Sequence, residues 1–282
     1  MMTTSARTTG TLFVIATPIG NREDITFRAI STLQSVDTIL AEDTRHSKQL
    51  LTSYGIQKPL VSLHAHNEDS KAQSIITELL NGKSFALISD AGTPLISDPG
   101  YPLVHLARAN HINVVPIPGA CAFVAALSAA GIPCDALSFF GFLPAKSSAR
   151  RSKLTSVKDL GHTLIFYEST HRITECIEDI GVVFGEDYPL VLAKELTKTF
   201  EHFISGSPID INHWLQEEPV RCKGEFVLII PPRESKSVVN CDTSVLTTLL
   251  EELPLKQAVR LAAKITGEPK NELYRIALEL GD

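Results

Sequence analysis

Several common cofactor and catalytic fingerprints are missing from these 282 residues. No Gly-x-Gly-x-x-Gly follows the first apolar run, where the loop reads Thr17-Pro18-Ile19-Gly20-Asn21, and no Gly-Lys-Ser/Thr of a P-loop occurs anywhere. Both motifs work by letting backbone N–H groups meet phosphate at a helix N-terminus, so a phosphate-bearing cofactor is disfavoured. Ser128 and Ser169 do not sit in Gly-x-Ser-x-Gly, which leaves no nucleophile elbow. The five cysteines (Cys121, Cys134, Cys176, Cys222, Cys241) are scattered, with no Cys-x-x-Cys pair. That usage points to a reducing compartment and to thiols serving as small apolar side chains. Metal-ligand spacing is thin too. His64-x-His66 and Asp43-Thr44-Arg45-His46 have neither i, i+4 pairing nor cysteine support, so no metal is expected. Long apolar runs are lacking. Leu12–Ala16 is too short for a signal peptide, and Ala120–Ala130 is about half of what crosses a bilayer. The expectation is a soluble, cytoplasmic protein with no membrane partner. A formal charge of −6 argues against indiscriminate coating of nucleic acid, while a local basic site stays compatible with it.

What is present is ordinary globular material, 44% hydrophobic and 21% charged, enough for a large core and, as a soft prior, two domains. Residues 1–10 are small and polar and read as a loose, disordered tail. From residue 11 to 118, short β-type runs alternate with helical stripes. Leu12–Ala16, Thr38–Ala41, Leu60–Leu63, Phe85–Ser89 and Asn113–Pro116 read as strands, with Asp24 as the N-cap of the first helix. This alternation predicts a mostly parallel sheet covered on both faces. Pro116, Pro118 and Gly119 break the series, and a second α/β domain is expected over 119–232. Its strands are Leu137–Phe140, Thr163–Tyr167, Leu190–Ala193, Thr199–Ile204 and Glu225–Ile230. Two strands in a row there imply antiparallel pairing. Residues 233–243 read as a linker and 244–282 as a small C-terminal helical domain.

The most informative loop runs Ser89-Asp90-Ala91-Gly92-Thr93-Pro94-Leu95-Ile96-Ser97-Asp98-Pro99-Gly100, at the carboxyl end of an expected central strand, where ligands of open α/β sheets bind. Gly92 permits close backbone approach, Pro94 and Pro99 stiffen the loop, and Asp90 and Asp98 offer acceptors for hydroxyls, amines or a positive centre. The competing reading is a well-made surface turn. With phosphate disfavoured, S-adenosylmethionine fits better: it carries an adenosine, an amino acid and a sulfonium, but no phosphate. Charged groups also gather at later strand ends, in Tyr167-Glu168-Ser169-Thr170-His171-Arg172, Lys194-Glu195 and Lys223-Gly224-Glu225.

In order along the chain, Thr17 to Asn21, Ala41-Glu42-Asp43-Thr44-Arg45, Ser89 to Gly100, Pro118-Gly119-Ala120, Gly141 to Lys146, Phe166 to Arg172 and Glu195-Leu196-Thr197-Lys198 resemble the ribosomal RNA small subunit methyltransferase I family of the tetrapyrrole-methylase-like superfamily. The resemblance implies two α/β domains of the class III methyltransferase type with a cofactor cleft between them, S-adenosylmethionine as cofactor, and a homodimer. It implies methyl transfer to the ribose 2′-hydroxyl of a cytidine in the decoding region of 16S rRNA, within the small ribosomal subunit. By motif position, cofactor contacts fall on Pro18, Ile19, Asp90, Gly92, Thr93, Pro94, Cys121, Ala122, Tyr167, Ala193 and Glu225. Relatives acting on corrin or porphyrin rings carry a Gly-Asp-Pro-x-x-Tyr-Gly type loop at this place. The different loop here, and the helical tail, favour RNA. For catalysis, Glu168 or Glu195 is expected to accept the proton, with Lys194 or Arg172 stabilising developing negative charge. RNA contacts are expected from Lys146, Arg150, Arg151 and Lys153, in a basic run free of acids, and from Lys256, Arg260 and Lys264, which share one helical face. The alternative for both basic sets is a solubilising surface.

Overall fold

The computed structural model describes residues 9–233 and 243–280. The chain divides into two compact units, one up to Arg233 and one from Glu234 onward. Most of the expected tail (1–8) and linker (234–242) lies outside the described residues. Gly10, which the sequence assigns to the loose tail, is packed in place. Its N–H donates to the Leu79 carbonyl at 2.8 Å, and a Cβ there would sit 1.9 Å from the Lys83 carbonyl oxygen.

The first unit opens with β1 (Thr11–Ile15), α1 (Phe27–Ser35), β2 (Thr38–Ala41), α2 (Thr44–Ser53), β3 (Leu60–Ser62), α3 (Glu68–Leu80), β4 (Phe85–Ile88), α4 (Tyr101–Ala109) and β5 (Asn113–Ile117). The strands form one parallel sheet in the order β3-β2-β4-β1-β5. Both faces are buried, which is why β4 reads Phe-Ala-Leu-Ile without alternation. One face packs Leu12, Leu40 and Leu87 against Leu79 of α3 and Leu103 of α4. The other packs Ile15, Ile39 and Ile88 against Leu33 of α1 and Leu51 of α2. The chain therefore leaves β1 toward one face and the adjacent β4 toward the other. That divergence opens a crevice at their carboxyl ends, the usual place for a ligand in such sheets.

Local chemistry sets the helix starts. The first helix is capped by Thr26, whose hydroxyl accepts from the Ala29 N–H at 3.1 Å, and not by Asp24 as the sequence suggested. Asp24 instead ends a short 3₁₀ turn, Arg22–Asp24, capped by Asn21. Asp43 caps α2 by accepting from the N–H groups of Arg45 and His46.

After β5 come α5 (Ala122–Ala129), β6 (Leu137–Phe142), α6 (Ser147–Val157), β7 (Thr163–Ser169), α7 (Ile173–Phe184), β8 (Leu190–Lys194), β9 (His202–Gly206), α8 (Pro208–Glu217) and β10 (Glu225–Ile230). The sequence boundary at 118/119 thus falls between β5 and α5. The second sheet runs β6-β7-β10-β8-β9, with β6 and β7 parallel and every other pair antiparallel. Apolar α5 lies on one face, over Ile165, Ala193 and Val227; α6, α7 and α8 cover the other around Phe166, Leu192 and Leu228. The strand expected at Thr199–Ile204 begins only at His202. After β8 the chain turns through Glu195 and Thr197, both at positive φ (50° and 63°), and no strand can run through such a turn.

The second unit contains α9 (Thr243–Glu252), α10 (Leu255–Thr266) and α11 (Lys270–Glu279) around Leu246, Val259, Ala262, Leu273 and Ala277. Gly267, left-handed at φ 79°, closes α10. Lys256, Arg260 and Lys264 are exposed on α10, opposite its buried Ala258, Val259 and Ala262. Leu280 lies beyond the end of α11 and is 51% exposed. Among the described residues no helix is long and apolar enough to cross a membrane.

Candidate active site

The loops leaving β1 and β4 are tied to each other. Thr17 and Gly92 exchange two backbone hydrogen bonds, at 2.8 and 3.0 Å, and the Thr17 hydroxyl donates to the Ser89 carbonyl at 3.2 Å. Gly92 has φ 80°, and a Cβ there would come within 3.3 Å of Ile19 Cγ2. Leu95 and Ser97 also hold positive φ, 71° and 68°. Such conformations in side-chain-bearing residues gather where a ligand is held. From the other side, Thr93 donates its hydroxyl to the Ala120 carbonyl at 3.0 Å, fixing this loop to the start of α5.

A cavity of about 310 Å³ opens against these loops, lined by Ile19, Gly92, Thr93, Asp98, Cys121, Ala122, Tyr167, Glu168, Leu196 and Glu225, with Phe142 at its rim. Its volume is at the small end of the ~300–1,000 Å³ range of small-molecule sites. Tyr167 lies edge-on to Phe139 and Phe142, and its hydroxyl accepts from the Phe123 N–H at 3.2 Å. Burial pushes the ionisation of that hydroxyl far up, so it stays neutral. Asp98 also lines the cavity. Burial, opposed by a hydrogen bond from Ser89 and assisted by the charges of Glu42 and Asp90, pushes its carboxyl up to about 6.

The cavity walls contain no lysine, arginine or histidine, and three carboxylates, Asp98, Glu168 and Glu225. That donor set suits a ligand with a positive centre and no phosphate, so the residues present fit S-adenosylmethionine.

Of the positions expected to contact cofactor, Ile19, Gly92, Thr93, Cys121, Ala122, Tyr167 and Glu225 line this cavity. Pro18 and Asp90 line an adjoining recess of about 370 Å³, with Arg22, His46 and Lys198, which shares Ile19, Ala91 and Glu225 with the first. Pro94 reaches neither, and Ala193 is enclosed in the apolar layer under α5. Asp98, Ser97, Phe142 and Leu196 line the cavity without being marked as cofactor contacts by the sequence motifs. Asp98 is legible as an acceptor, but positive φ at Leu95 and Ser97, which shapes the loop's turn, leaves no mark in residue type.

Of the residues that the sequence suggests for proton transfer, Glu168 lines this cavity and Lys194 and Glu195 do not. Glu168 lines the cavity but is only 2% exposed. Its Oε1 accepts from Arg172 Nη2 at 2.9 Å and from the Ser169 N–H at 2.8 Å, and its Oε2 is buried without a partner. Arg172 is thereby committed to Glu168. Lys194 and Glu195 line a different cavity, because alternation along β8 points Lys194 away from Ala193's face. Against the effect of burial, Lys198 and the Glu225 N–H hold the Glu195 carboxylate below its ordinary range, which weakens it as a base.

The basic run at 146–158 also needs correction. Arg150 is fully buried, not RNA-facing. Its Nε donates to Asp179 Oδ2 at 2.6 Å and its Nη1 to the Ala145 carbonyl at 3.1 Å. Arg151 pairs with the other Asp179 oxygen, and Lys153 sits 4.4 Å over the Phe140 ring. Burial raises Asp179, but hydrogen bonds from Arg151, Ser147 and Arg150 outweigh it and hold the carboxyl below the usual range. Lys146 remains exposed.

Two α/β sheets meeting at a cavity walled by carboxylates, with a tetrapyrrole-methylase family match, define an S-adenosylmethionine-dependent methyltransferase of the tetrapyrrole-methylase type. The family described as Tetrapyrrole (Corrin/Porphyrin) Methylases matches residues 11–208, and the RsmI C-terminal HTH domain matches 243–281. The chain belongs to the ribosomal RNA small subunit methyltransferase I family. It is 51% identical over 275 residues to the Haemophilus influenzae protein of that name, covering 96% of this chain and 97% of that one. To the Escherichia coli O157:H7 protein it is 50% identical over 273 residues, covering 96% and 95%. Among solved structures, uroporphyrin-III-C-methyltransferase from Thermus thermophilus superposes with a TM-score of 0.54 at 18% identity, over 79% of this chain and 94% of that one. At that identity the likeness is one of fold.

Proposed function

We propose that the protein transfers a methyl group from S-adenosylmethionine to the ribose 2′-hydroxyl of a cytidine in the decoding region of 16S rRNA, acting as a homodimer on the small ribosomal subunit in the cytoplasm. The carrying observation is the cavity at the β1/β4 crevice, walled by Asp98, Glu168 and Glu225 and free of basic side chains; the names and identity of the relatives support RNA as the acceptor.

The sulfonium methyl is already activated, so the protein's work is to align the acceptor and remove its proton. Gly92, Thr93, Cys121, Ala122 and Tyr167 hold the donor. The acceptor ribose enters through the adjoining recess, whose Arg22 and His46 suit RNA phosphates. Asp98 accepts the hydroxyl proton, its carboxyl being close enough to neutral pH to serve as a base. Glu168, held by Arg172, forms part of the cavity wall. Lys146, Arg151 and Lys153 in the first unit, and Lys256, Arg260 and Lys264 in the second, provide sequence-independent phosphate contacts.

Asp98→Asn tests this assignment. It should bind S-adenosylmethionine in calorimetry and lose most turnover on rRNA. A variant with full single-turnover rate would remove Asp98 as the base.

A further inference from the structure

A second cavity, of about 510 Å³, opens beyond the end of β8 and shares no lining residue with the cofactor cavity. Its walls include Lys194, Phe200, His202, Trp214, Glu218, Arg221 and Lys223. The volume is ample for a nucleotide. Three features of its lining point to the same ligand.

The first is aromatic. Phe200 is 73% exposed, an unusual position for a large apolar ring. His202 stacks on Trp214 with ring centroids 5.3 Å apart and planes within 20°, and the Arg221 guanidinium lies 4.8 Å from the same indole. Exposed flat rings of this kind are what single-stranded RNA bases stack on.

The second is a cation near the Glu195 carboxylate but not paired with it. Lys194 is only 6% exposed, yet among the described residues its ammonium makes no hydrogen bond and no ion pair within 4 Å. The Phe226 ring lies 5.9 Å from it. A lysine stem enclosed in the fold with its charge opening into a cavity is a receptor for an anion or a carbonyl oxygen.

The third is the state of the acids. Glu195 is bound by Lys198 at 2.8 Å, Glu218 by Arg221 at 2.7 Å, and Glu201 Oε2 accepts from the Thr197 N–H at 2.6 Å. Every carboxylate of the cavity is thus occupied by its own partner. Lys194 and exposed Lys223, which has no ion pair among the described residues, are left to face a ligand.

We propose that this cavity binds an unstacked nucleotide of single-stranded RNA, close in sequence to the one that is methylated. The base stacks on the Phe200 and His202 rings, and Lys194 contacts its phosphate or a base carbonyl. The assignment rests on the RNA-methyltransferase reading above. It makes the strand bind at two points, with the acceptor at the cofactor cavity and a neighbour held here, so that the target ribose is pulled out of any stack.

Trp214 is the only tryptophan in the chain, so its emission reports on this cavity alone. The full-length protein is titrated with a short labelled single-stranded oligoribonucleotide, following the label's anisotropy and the tryptophan emission together. The emission should be quenched in parallel with the anisotropy rise. Phe200→Ala and Lys194→Met should each weaken RNA binding about tenfold, and Phe200→Ala should bind S-adenosylmethionine like the parent protein. RNA that binds normally while the emission stays unchanged, with Phe200→Ala binding as tightly as the parent, would overturn the nucleotide pocket and leave the RNA reading standing. Equal quenching by inorganic phosphate alone would reduce the cavity to an anion site. No anisotropy change at all would overturn the RNA reading, and this inference with it.

Discussion

A carboxyl moved into a partly enclosed cavity gives up its proton later than one in water. Asp98 does so, rising from 3.8 to about 6, and this ties turnover and stability to one titration. As the base, Asp98 must be ionised, so turnover should climb about tenfold per pH unit below 6 and level off above it. For stability the sign is opposite. The fold favours the protonated carboxyl, so its contribution is full below about pH 4 and is lost as pH rises through about 6. Asp98→Asn should therefore melt higher than the parent protein at pH 8, with the gain shrinking toward pH 4 in thermal scans. Arg150 illustrates what residue type alone conceals. In the sequence it belongs to a basic run with no acid nearby, and it reads as facing RNA. Its partner, Asp179, is 29 residues further on, and only the packing of α6 against α7 brings the two together. Removing the cation leaves a buried carboxylate short of a partner, so Arg150→Ala should cost roughly 3–5 kcal/mol in urea denaturation. A variant as stable as the parent would show that the pair carries no structural weight.

At the scale of elements, the strands and helices are legible because a doubly covered parallel sheet writes itself as short unbroken apolar runs between amphipathic stripes. The extents of β2 and β10 coincide with those read from the sequence. The start of β9 is not legible, because positive φ at Glu195 and Thr197 follows from tertiary contacts and not from residue type. Thr197 receives the Asn21 N–H at 3.0 Å on its hydroxyl, so the turn after β8 is held by the loop after β1. The 90–100 loop is legible in composition, through Gly92, Pro94 and Asp98, but the direction of its turn is not. Gly92→Ala adds a Cβ at left-handed φ and 3.3 Å from Ile19. It should weaken S-adenosylmethionine about tenfold in calorimetry, roughly 1.4 kcal/mol, with the fold retained.

For the whole molecule, a net charge of −6 must be reconciled with an RNA substrate. Within the first unit carboxylates wall the cofactor cavity and Lys146 is exposed; within the second, Lys256, Arg260 and Lys264 are exposed on α10. Replacing Lys256, Arg260 and Lys264 together by Gln should flatten the salt dependence of RNA binding, by about 0.7–0.9 in log–log slope for each phosphate no longer neutralised. An unchanged slope would take that helix out of the interface. The central claim is the transfer itself. Purified protein, S-adenosylmethionine labelled in its methyl group and small ribosomal subunits whose RNA lacks the modification should be combined, and the label mapped by nucleotide. The account predicts one labelled 2′-O-methylcytidine, in the decoding region. Label on a base nitrogen or carbon, or none on the RNA at all, would contradict it.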